Sequence, residues 1–400
     1  MDHETHVAIV GGGPAGSAAA IGLTARGLSV ILMDKSPFPR DKICGDFLTP
    51  GSVEKLEAIA GDAIAKLRPC PLRGMKITFE QRAIESSFPF GKQGHGLTRR
   101  ELDDVLRARA EESGARWMPS FTARGTTLER DGTRVVEGTW PDGTRGRVRA
   151  RLVVEASGRH GPFGRALGWR RDDPRLRRFA LWSHMQGVRD LRERGEMHVF
   201  EGGYVGVGAR DVASGLANVT MVLTPRAMAQ ARGHVAEYFH GALARHPELG
   251  RRTQGAARIS PVRGLGPLAC TASRVASGRL ALVGDASGFV DPFTGEGVFV
   301  ALESARLLAA SVVERDPGDP EGLRRYERAH ASAFRSKLRL CRLLQITIAR
   351  PWLARRVTRA LSSRRDLAER MLGATGDILP AADVLNPGYL GRLLLAGIRA

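Results

Sequence analysis

The sequence predicts an α/β fold in which a Rossmann-type domain carries an inserted antiparallel-sheet domain and is followed by C-terminal helices. Three observations predict it. A strand, a glycine-rich turn and a helix follow one another at the N-terminus, and a second strand, loop and helix occupy residues 278–309. Apolar runs of strand length fill much of the sequence between them. The chain of 400 residues is long enough to bury a large core.

The N-terminal unit has the spacing of a dinucleotide-binding turn. Residues 6–10 form an apolar run typical of a buried strand, and "GGGPAG" then places Gly11, Gly13, Ala15 and Gly16 before an Ala-rich helix. The first glycine permits a tight turn, the second lets the backbone approach a pyrophosphate, and the third allows helix and strand to pack closely. The N–H groups at the start of the helix can bind the anion.

An acidic residue follows the second predicted strand, "SVILMD", which ends on Asp34. An acid at this distance from the glycines can hydrogen-bond the ribose of an adenosine, and its charge disfavours a 2′-phosphate. Asp34 and the adjacent Lys35 are therefore candidate cofactor-binding residues. At this point NAD and FAD both remain open.

The second unit favours a flavin. It contains the strand "LALVGD", a loop with a proline and a helix that begins near "GEG". Asp285, after Gly284, can bond the hydroxyls of a ribityl chain. The amides around Gly295, Glu296 and Gly297 can stabilise negative charge at the pyrimidine end of a reduced ring.

Five motifs together resemble a known family: "GGGPAG", "DKICGDFLTPG", "LTRRELDDVL", "VVEASG" and "GDASGFVDPFTGEG". Their order is similar to that of the geranylgeranyl-reductase-like branch of the flavoproteins with the p-hydroxybenzoate hydroxylase fold, over about the first 335 residues. The resemblance implies bound FAD, with Arg99 lying along it and Arg100 as the adjacent alternative. It also implies that Arg40 contacts the cofactor region and that Cys44 and Gly45 line the reaction chamber.

The chemistry has a leading interpretation and two alternatives. The resemblance favours FAD-dependent reduction of a carbon–carbon double bond in an isoprenoid or other hydrophobic metabolite. The same fold hosts monooxygenases that hydroxylate aromatic or polyketide substrates, and a non-catalytic FAD-binding protein is the third interpretation. The family's aromatic Y-x-W-x-F-P strand is replaced by "GGYVGVGARD", which leaves the substrate open. Cys44 can also be an ordinary small buried residue.

The motifs divide the chain into segments. The predicted FAD-binding domain is discontinuous and comprises residues 1–70, 97–160 and 275–335. The predicted substrate domain comprises residues 71–96 and 161–274, and a helical region comprises residues 336–400. The substrate domain is expected to form an antiparallel sheet above the flavin. Four residues whose side chains end in a polar group are candidates for the face of this sheet that lies towards the flavin: Trp182, His184, His198 and Tyr204.

The amino-acid composition indicates which ligands and partners the protein is expected to bind. The four cysteines are far apart and form no C-x-x-C pair, which predicts no metal site and fits a reducing cytoplasm. The net charge of +19 comes mostly from arginines spread along the chain, so we expect a solvated surface and no nucleic-acid partner. The N-terminal apolar run lacks a basic segment before it and is better explained by the glycine motif than by an export signal.

Residues 334–365 are basic, contain no acid and have helical apolar spacing around a break before Pro351. Two interpretations remain open: a peripheral contact with an anionic membrane, or packed helices that cap the substrate cavity.

The electron donor has no binding unit of its own in the sequence. We find no second complete strand, G-x-G-x-x-G turn and helix after the first. NAD(P)H is therefore expected to bind transiently, or a reduced electron carrier supplies the electrons.

Overall fold

The computed structural model of the protein describes residues 2–399. Its strands in chain order are β1 (Asp2–Val10), β2 (Val30–Met33), β3 (Phe47–Leu48), β4 (Cys70–Leu72), β5 (Gly74–Phe79), β6 (Arg82–Ser87), β7 (Gly94–Gly96), β8 (Arg116–Met118), β9 (Thr122–Leu128), β10 (Arg134–Thr139), β11 (Arg145–Glu155), β12 (Arg170–Asp172), β13 (Phe179–Gln186), β14 (Gly195–Phe200), β15 (Gly203–Asp211), β16 (Leu216–Leu223), β17 (Ala257–Arg258), β18 (Arg263–Leu265), β19 (Cys270–Ala272), β20 (Ala276–Ser277) and β21 (Leu280–Leu282).

The helices in chain order are α1 (Pro14–Thr24), α2 (Pro50–Ala60), α3 (Asp62–Lys66), α4 (Arg99–Glu112), α5 (Pro162–Ala166), α6 (Pro225–Gln230), α7 (Val235–Arg245), α8 (Pro247–Thr253), α9 (Gly297–Ser311), α10 (Pro320–Ile348), α11 (Pro351–Ser363), α12 (Arg365–Thr375), α13 (Ala382–Leu385) and α14 (Pro387–Arg399).

The first sheet has the strand order β20-β21-β11-β1-β2-β8, and β9 and β10 extend it through β11. Strand β1 pairs in parallel with β2 and β11, and β11 pairs in parallel with β21. Parallel strands place their carboxyl ends at one edge of a sheet. The turn after β1, Asp34 after β2 and Gly284 after β21 therefore meet at the same edge. The predicted α/β class with a Rossmann-type domain is confirmed.

The second sheet has the order β17-β13-β16-β15-β14-β5-β6, with β18 beside β13. One pair departs from the expected antiparallel arrangement, because β5 and β14 run parallel. These two strands come from different insertions, and the long connection between them permits a parallel pairing that a short hairpin would not. One face packs against α7 and α8, and the other faces the first sheet's edge.

Helices α10, α11 and α12 pack against the edge of the second sheet. Helix α10 ends at Ile348 and α11 begins at Pro351, so the break falls where the sequence predicted it. Buried side chains of α11 and α12, among them Leu361 and Leu367, pack with Ile84 of β6. None of the helices within residues 2–399 is both long enough and apolar enough to span a membrane.

Candidate functional site

Close contacts with backbone atoms require glycine at two positions of the glycine motif. Gly11 has φ +111°, and a Cβ on it would lie 2.4 Å from the carbonyl oxygen of Ala156. A Cβ on Gly16 would lie 1.8 Å from the carbonyl oxygen of Gly11. Helix α1 begins directly after Gly13 and has no side-chain cap. Its first N–H groups are therefore available at the sheet edge, in the arrangement that binds a pyrophosphate.

Asp34 anchors the turn that follows β1. Its Oδ2 accepts a hydrogen bond from the Gly12 amide at 2.8 Å and its Oδ1 accepts one from the Ser36 amide at 2.9 Å. Arg40 lies 3.5 Å from the same carboxylate. Lys35 is exposed and does not line the cavity described below. A ribose contact by Asp34 stays a prediction, and it would have to share a carboxylate that already holds two amides.

Two cations lie beside the glycine turn. Arg99 forms a two-pronged pair with Asp103 at 2.6 and 2.8 Å, whereas Arg100 is exposed. Of the two arginines considered from the sequence, Arg99 is therefore the one that faces the cavity. Lys42 faces it as well, and burial, together with the neighbouring Arg99 charge, lowers the pKa of Lys42. Two adjacent cations that face a cavity favour an anionic ligand.

The loop that contains Cys44 and Gly45 is held against the second sheet by hydrogen bonds to Asp46. This buried carboxylate accepts hydrogen bonds from His184 Nε2 at 2.6 Å and Asn218 Nδ2 at 3.0 Å. Asn218 Nδ2 also donates to the Cys44 carbonyl at 2.8 Å. A Cβ on Gly45 would meet no atom within 4 Å, and Gly45 lines the cavity, so this glycine leaves room for a ligand. Burial raises the pKa of the Cys44 thiol despite the nearby Arg99, so Cys44 is a neutral thiol at pH 7.

The second motif brings Asp285 to the same cavity. Gly284 has φ +60°, and its amide donates to Ser304 Oγ at 2.8 Å. A Cβ on Gly284 would lie 2.8 Å from Ala15 Cβ, so this glycine allows the two motifs to approach each other. The side chain of Glu296 does not line the cavity and instead contacts Lys337 and Cys341. Any cofactor contact by Glu296 would therefore have to come from its backbone.

These loops and the second sheet border a cavity with about 1390 Å³ of empty space, part of which is open to solvent. One end is polar, with helix α1 and the Lys42 and Arg99 cations, and the other end is mostly apolar. This division fits FAD, whose pyrophosphate is anionic and whose ring system is largely apolar. The predicted site residues that line the cavity are Gly13, Ala15, Cys44, Gly45, Arg99, Asp285, Gly295 and Gly297.

Several cavity residues carried no clear pattern in the sequence. Lys42 was not identified from the sequence. The one feature that could have indicated it is its position two residues before Cys44 in the same loop. Arg159 and Thr220 also line the cavity, and nothing in their local sequence distinguishes them. Of the four candidates on the second sheet, Tyr204 lines the cavity whereas Trp182, His184 and His198 do not.

His198 belongs to a charged network within the second domain. It lies 2.8 Å from Glu196, and Arg252 binds Glu196 at 2.6 and 2.9 Å and Glu248 at 3.1 Å. Although burial opposes it, hydrogen bonds from His198 and Arg252 lower the pKa of Glu196 to about 2. Glu196, His198 and Glu248 have the spacing of metal ligands, but Arg252 already pairs with both carboxylates and Lys76 pairs with Glu248 at 2.6 Å.

Comparison with known proteins defines the class. Residues 4–338 match the family described as FAD binding domain, and the chain belongs to that family. It is a flavin-dependent oxidoreductase.

Relatives within the class differ in chemistry. The chain is 32% identical over 341 residues to a menaquinone reductase of Mycobacterium tuberculosis, covering 79% of this chain and 78% of the relative. It is 28% identical to a flavin-dependent halogenase, armH4, of Armillaria mellea, covering 77% and 65% of the two chains. A flavoprotein/dehydrogenase structure from Cytophaga hutchinsonii superposes with a TM-score of 0.85 at 19% identity, covering 99% and 98% of the chains.

Proposed function

We propose that this protein reduces a carbon–carbon double bond in an isoprenoid or other hydrophobic metabolite. The observation that carries the proposal is a second, apolar chamber that adjoins the main cavity and has about 980 Å³ of empty space, part of which is open to solvent. Phe47, Met75 and Met197 line both spaces. The chamber continues between the second sheet and helices α10 to α12, with walls that include Ile77, Phe79, Leu344, Ile348, Val357, Leu361 and Met371. A long apolar chain could lie there while one of its double bonds stays in the main cavity.

Two further observations support a reductase. Relatives named menaquinone reductases include one of Mycobacterium tuberculosis and one of Mycolicibacterium smegmatis, at 32% and 29% identity. The motifs of the loop around Cys44 also resemble those of geranylgeranyl-reductase-like flavoproteins. Other relatives are named flavin-dependent halogenases. The alternative function is therefore an oxygen-dependent reaction, either halogenation or monooxygenation.

The chain's own residues have defined tasks in this proposal. FAD, when bound, would supply the hydride equivalent. The first amides of α1, with Lys42 and Arg99, would hold its pyrophosphate, and Asp285 would bind a hydroxyl of its ribityl chain. Cys44 and Gly45 would form the wall that separates substrate from solvent. NAD(P)H or a reduced electron carrier would be the transient donor.

Anaerobic turnover separates the two chemistries. We expect chemically reduced enzyme to add two hydrogens to a prenyl quinone or prenyl lipid without oxygen, measured by product mass. The Cys44→Ala variant should turn over more slowly yet retain FAD, because Cys44 lines the cavity while the first amides of α1, Lys42 and Asp285, which would hold the cofactor, stay in place. Cys70→Ala is the matched control, since Cys70 is a buried thiol outside the cavity. A product that gains one oxygen or a halogen, and only after air is admitted, would reject the reductase.

We further propose that the C-terminal helices contact an anionic membrane. Ile346, Trp352 and Leu395 are 41%, 62% and 59% exposed. Arg356 of α11 binds the Leu394 carbonyl of α14 at 3.0 Å, which places both helices in one surface. Arg342 and Arg350 are exposed near Ile346 and Trp352. Exposed apolar and basic side chains together favour a lipid surface, from which an apolar substrate could enter the adjoining chamber.

Vesicle binding tests this surface. Because each arginine near an anionic surface contributes about 1 kcal/mol, replacing Arg342 and Arg350 by glutamine should weaken binding to phosphatidylserine-containing vesicles roughly thirtyfold. Cosedimentation measures the effect, which should also fall with added salt. Replacing Arg226 of α6 and Arg232, which follows that helix, should change little, because both are exposed on the other domain. Equal loss in both double variants would contradict a localised membrane surface.

A further inference from the structure

A buried pair of a phenol and an acid lies at the wall of the main cavity. Tyr204 of β15 lines this cavity and donates a hydrogen bond from its Oη to Asp291 Oδ1 at 2.5 Å. The Phe293 amide donates to the same oxygen at 2.9 Å. Tyr204 and Asp291 are 2% and 7% exposed. The pair therefore joins the second sheet to the loop of the second cofactor motif.

Asp291 is built to hold a proton. Its Oδ2 is buried and has no hydrogen-bond partner among the residues that the structure describes. An ionised carboxylate with one bare buried oxygen is costly, so the neutral acid is favoured. In agreement, burial raises the pKa of Asp291 to about 6, although the hydrogen bonds from Tyr204 and Phe293 and the charge of Arg178 oppose the rise.

A third chamber, partly open to solvent, lies beside this loop. Asp291 lines it, and the other polar side chains in its wall include Glu296, His330 and Lys337. A solvent-connected space with several polar groups can hold water. Asp291 therefore connects a polar chamber with Tyr204, and Tyr204 connects Asp291 with the main cavity.

We infer that Tyr204 is the acid that protonates the substrate, and that Asp291 returns a proton to Tyr204 from the polar chamber. The inference rests on the proposed reductase function. It makes Tyr204 a catalytic residue and Asp291 a positioning and proton-supplying residue that acts through it.

Saturation of a double bond adds a hydride equivalent to one carbon and a proton to the other. The proton comes from Tyr204 Oη, whose O–H bond breaks while the π electron pair forms the new C–H bond. When Asp291 is protonated, its Oδ1–H donates to Tyr204 Oη and the phenol O–H is free to face the substrate. Asp291 Oδ1 then gives its proton to the phenolate as it forms, and the carboxylate regains one from solvent through the polar chamber. Because the two transfers are coupled, the proton source has the acidity of a carboxylic acid instead of that of a phenol.

The direction of the pH dependence follows from the charges around the pair. Tyr204 and Phe293 contact Asp291 directly, Arg178 acts on both members of the pair, and Cys341 faces Tyr204 from α10. Burial raises the pKa of Tyr204 well above its usual value, so the phenol stays protonated. The protonated fraction of Asp291 falls as the pH rises through about 6. The rate of product formation should therefore fall above pH 6.

The experiment uses the FAD-loaded protein with a prenyl quinone under anaerobic conditions. In the Tyr204→Phe variant, product formation should fall by about 100-fold or more, with FAD content unchanged. Asp291→Asn should be slow with a flat pH profile between 5 and 8, and Asp291→Glu should restore part of the rate. Tyr389→Phe is the matched control, because the Tyr389 hydroxyl is buried against the Leu367 carbonyl in the C-terminal helices.

A second measurement needs no turnover. Infrared difference spectra of wild-type protein between pH 5 and pH 8 should show a protonated carboxyl band that titrates near 6 and is absent in Asp291→Asn. Absence of this band from the wild type would overturn the proton-holding role of Asp291. Equal rates for Tyr204→Phe and wild type would overturn the role of Tyr204 alone. If the wild type forms no product with two added hydrogens, the reductase function fails and this role for Tyr204 fails with it.

Discussion

Replacing Gly16 by alanine is expected to remove bound FAD and to destabilise the protein by roughly 3 kcal/mol, at the upper end of the effects of overpacking. The reason is a backbone contact, since the new Cβ would lie 1.8 Å from the Gly11 carbonyl oxygen. Helix α1 would have to move away from β1, and its first amides would leave the cavity wall that Gly13 and Ala15 form. Flavin absorbance after gel filtration and the unfolding midpoint in urea measure the two effects.

Gly391 provides a matched control on another helix. It lies within α14, and a Cβ there would meet no atom within 4 Å. Alanine is favoured over glycine inside a helix by about 1 kcal/mol, so Gly391→Ala should be neutral or stabilising and should retain FAD. If Gly16→Ala keeps both its flavin and its stability, the close contact between helix α1 and the glycine turn is not a requirement of the fold.

Replacing Lys337 by methionine is expected to cost about 3–5 kcal/mol at pH 8, because it leaves buried carboxylates without their cation. Lys337 of α10 pairs with Asp377 and lies 3.5 Å from Glu296 Oε1. The three side chains are at most 10% exposed. Asp377 also accepts a hydrogen bond from Thr49 at 2.6 Å, at the start of α2. The cluster therefore joins the C-terminal helices to both loops that border the cavity.

The destabilisation caused by Lys337→Met should be smaller at low pH than at high pH. Burial raises the pKa of Glu296 and Asp377 even with Lys337 present. An acid whose pKa is higher in the folded state than in the unfolded state stabilises the protein at low pH. This stability is lost as the pH rises through the folded-state pKa. Removing Lys337 raises both values further, so Lys337→Met should be less destabilising at pH 5 than at pH 8. Urea unfolding at the two pH values measures the difference.

An exposed pair gives the comparison for this variant. Lys92 and Glu54 form an ion pair with side chains that are 47% and 54% exposed. Such pairs contribute between 0 and about 1 kcal/mol, so Lys92→Met should change the free energy of unfolding little at either pH. If Lys337→Met behaves like Lys92→Met, the buried cluster does not hold the C-terminal helices to the loops.

The sequence by itself determined the class of the protein and the local motifs that line one end of the cavity. The glycine turn, the acid after β2 and the "GDASGFVDPFTGEG" loop are local patterns, and each encodes a backbone conformation within a few residues. Positive φ at Gly11 and the close approach of Gly16 need glycine wherever such a turn occurs. Since parallel strands bring their carboxyl ends to one edge, these local turns also had to meet.

The tertiary structure alone decided which distant residues meet around the apolar chamber. Tyr204 and Asp291 are 87 residues apart in the chain, and Thr49 and Asp377 are 328 residues apart. No periodicity relates such positions, because their contact depends on how the two sheets and the C-terminal helices pack. The same packing turned the Glu296 side chain away from the cavity towards Lys337 and placed Lys42 beside Arg99. It also formed the apolar chamber, since that space exists only where α10, α11 and α12 lie against β5 and β6.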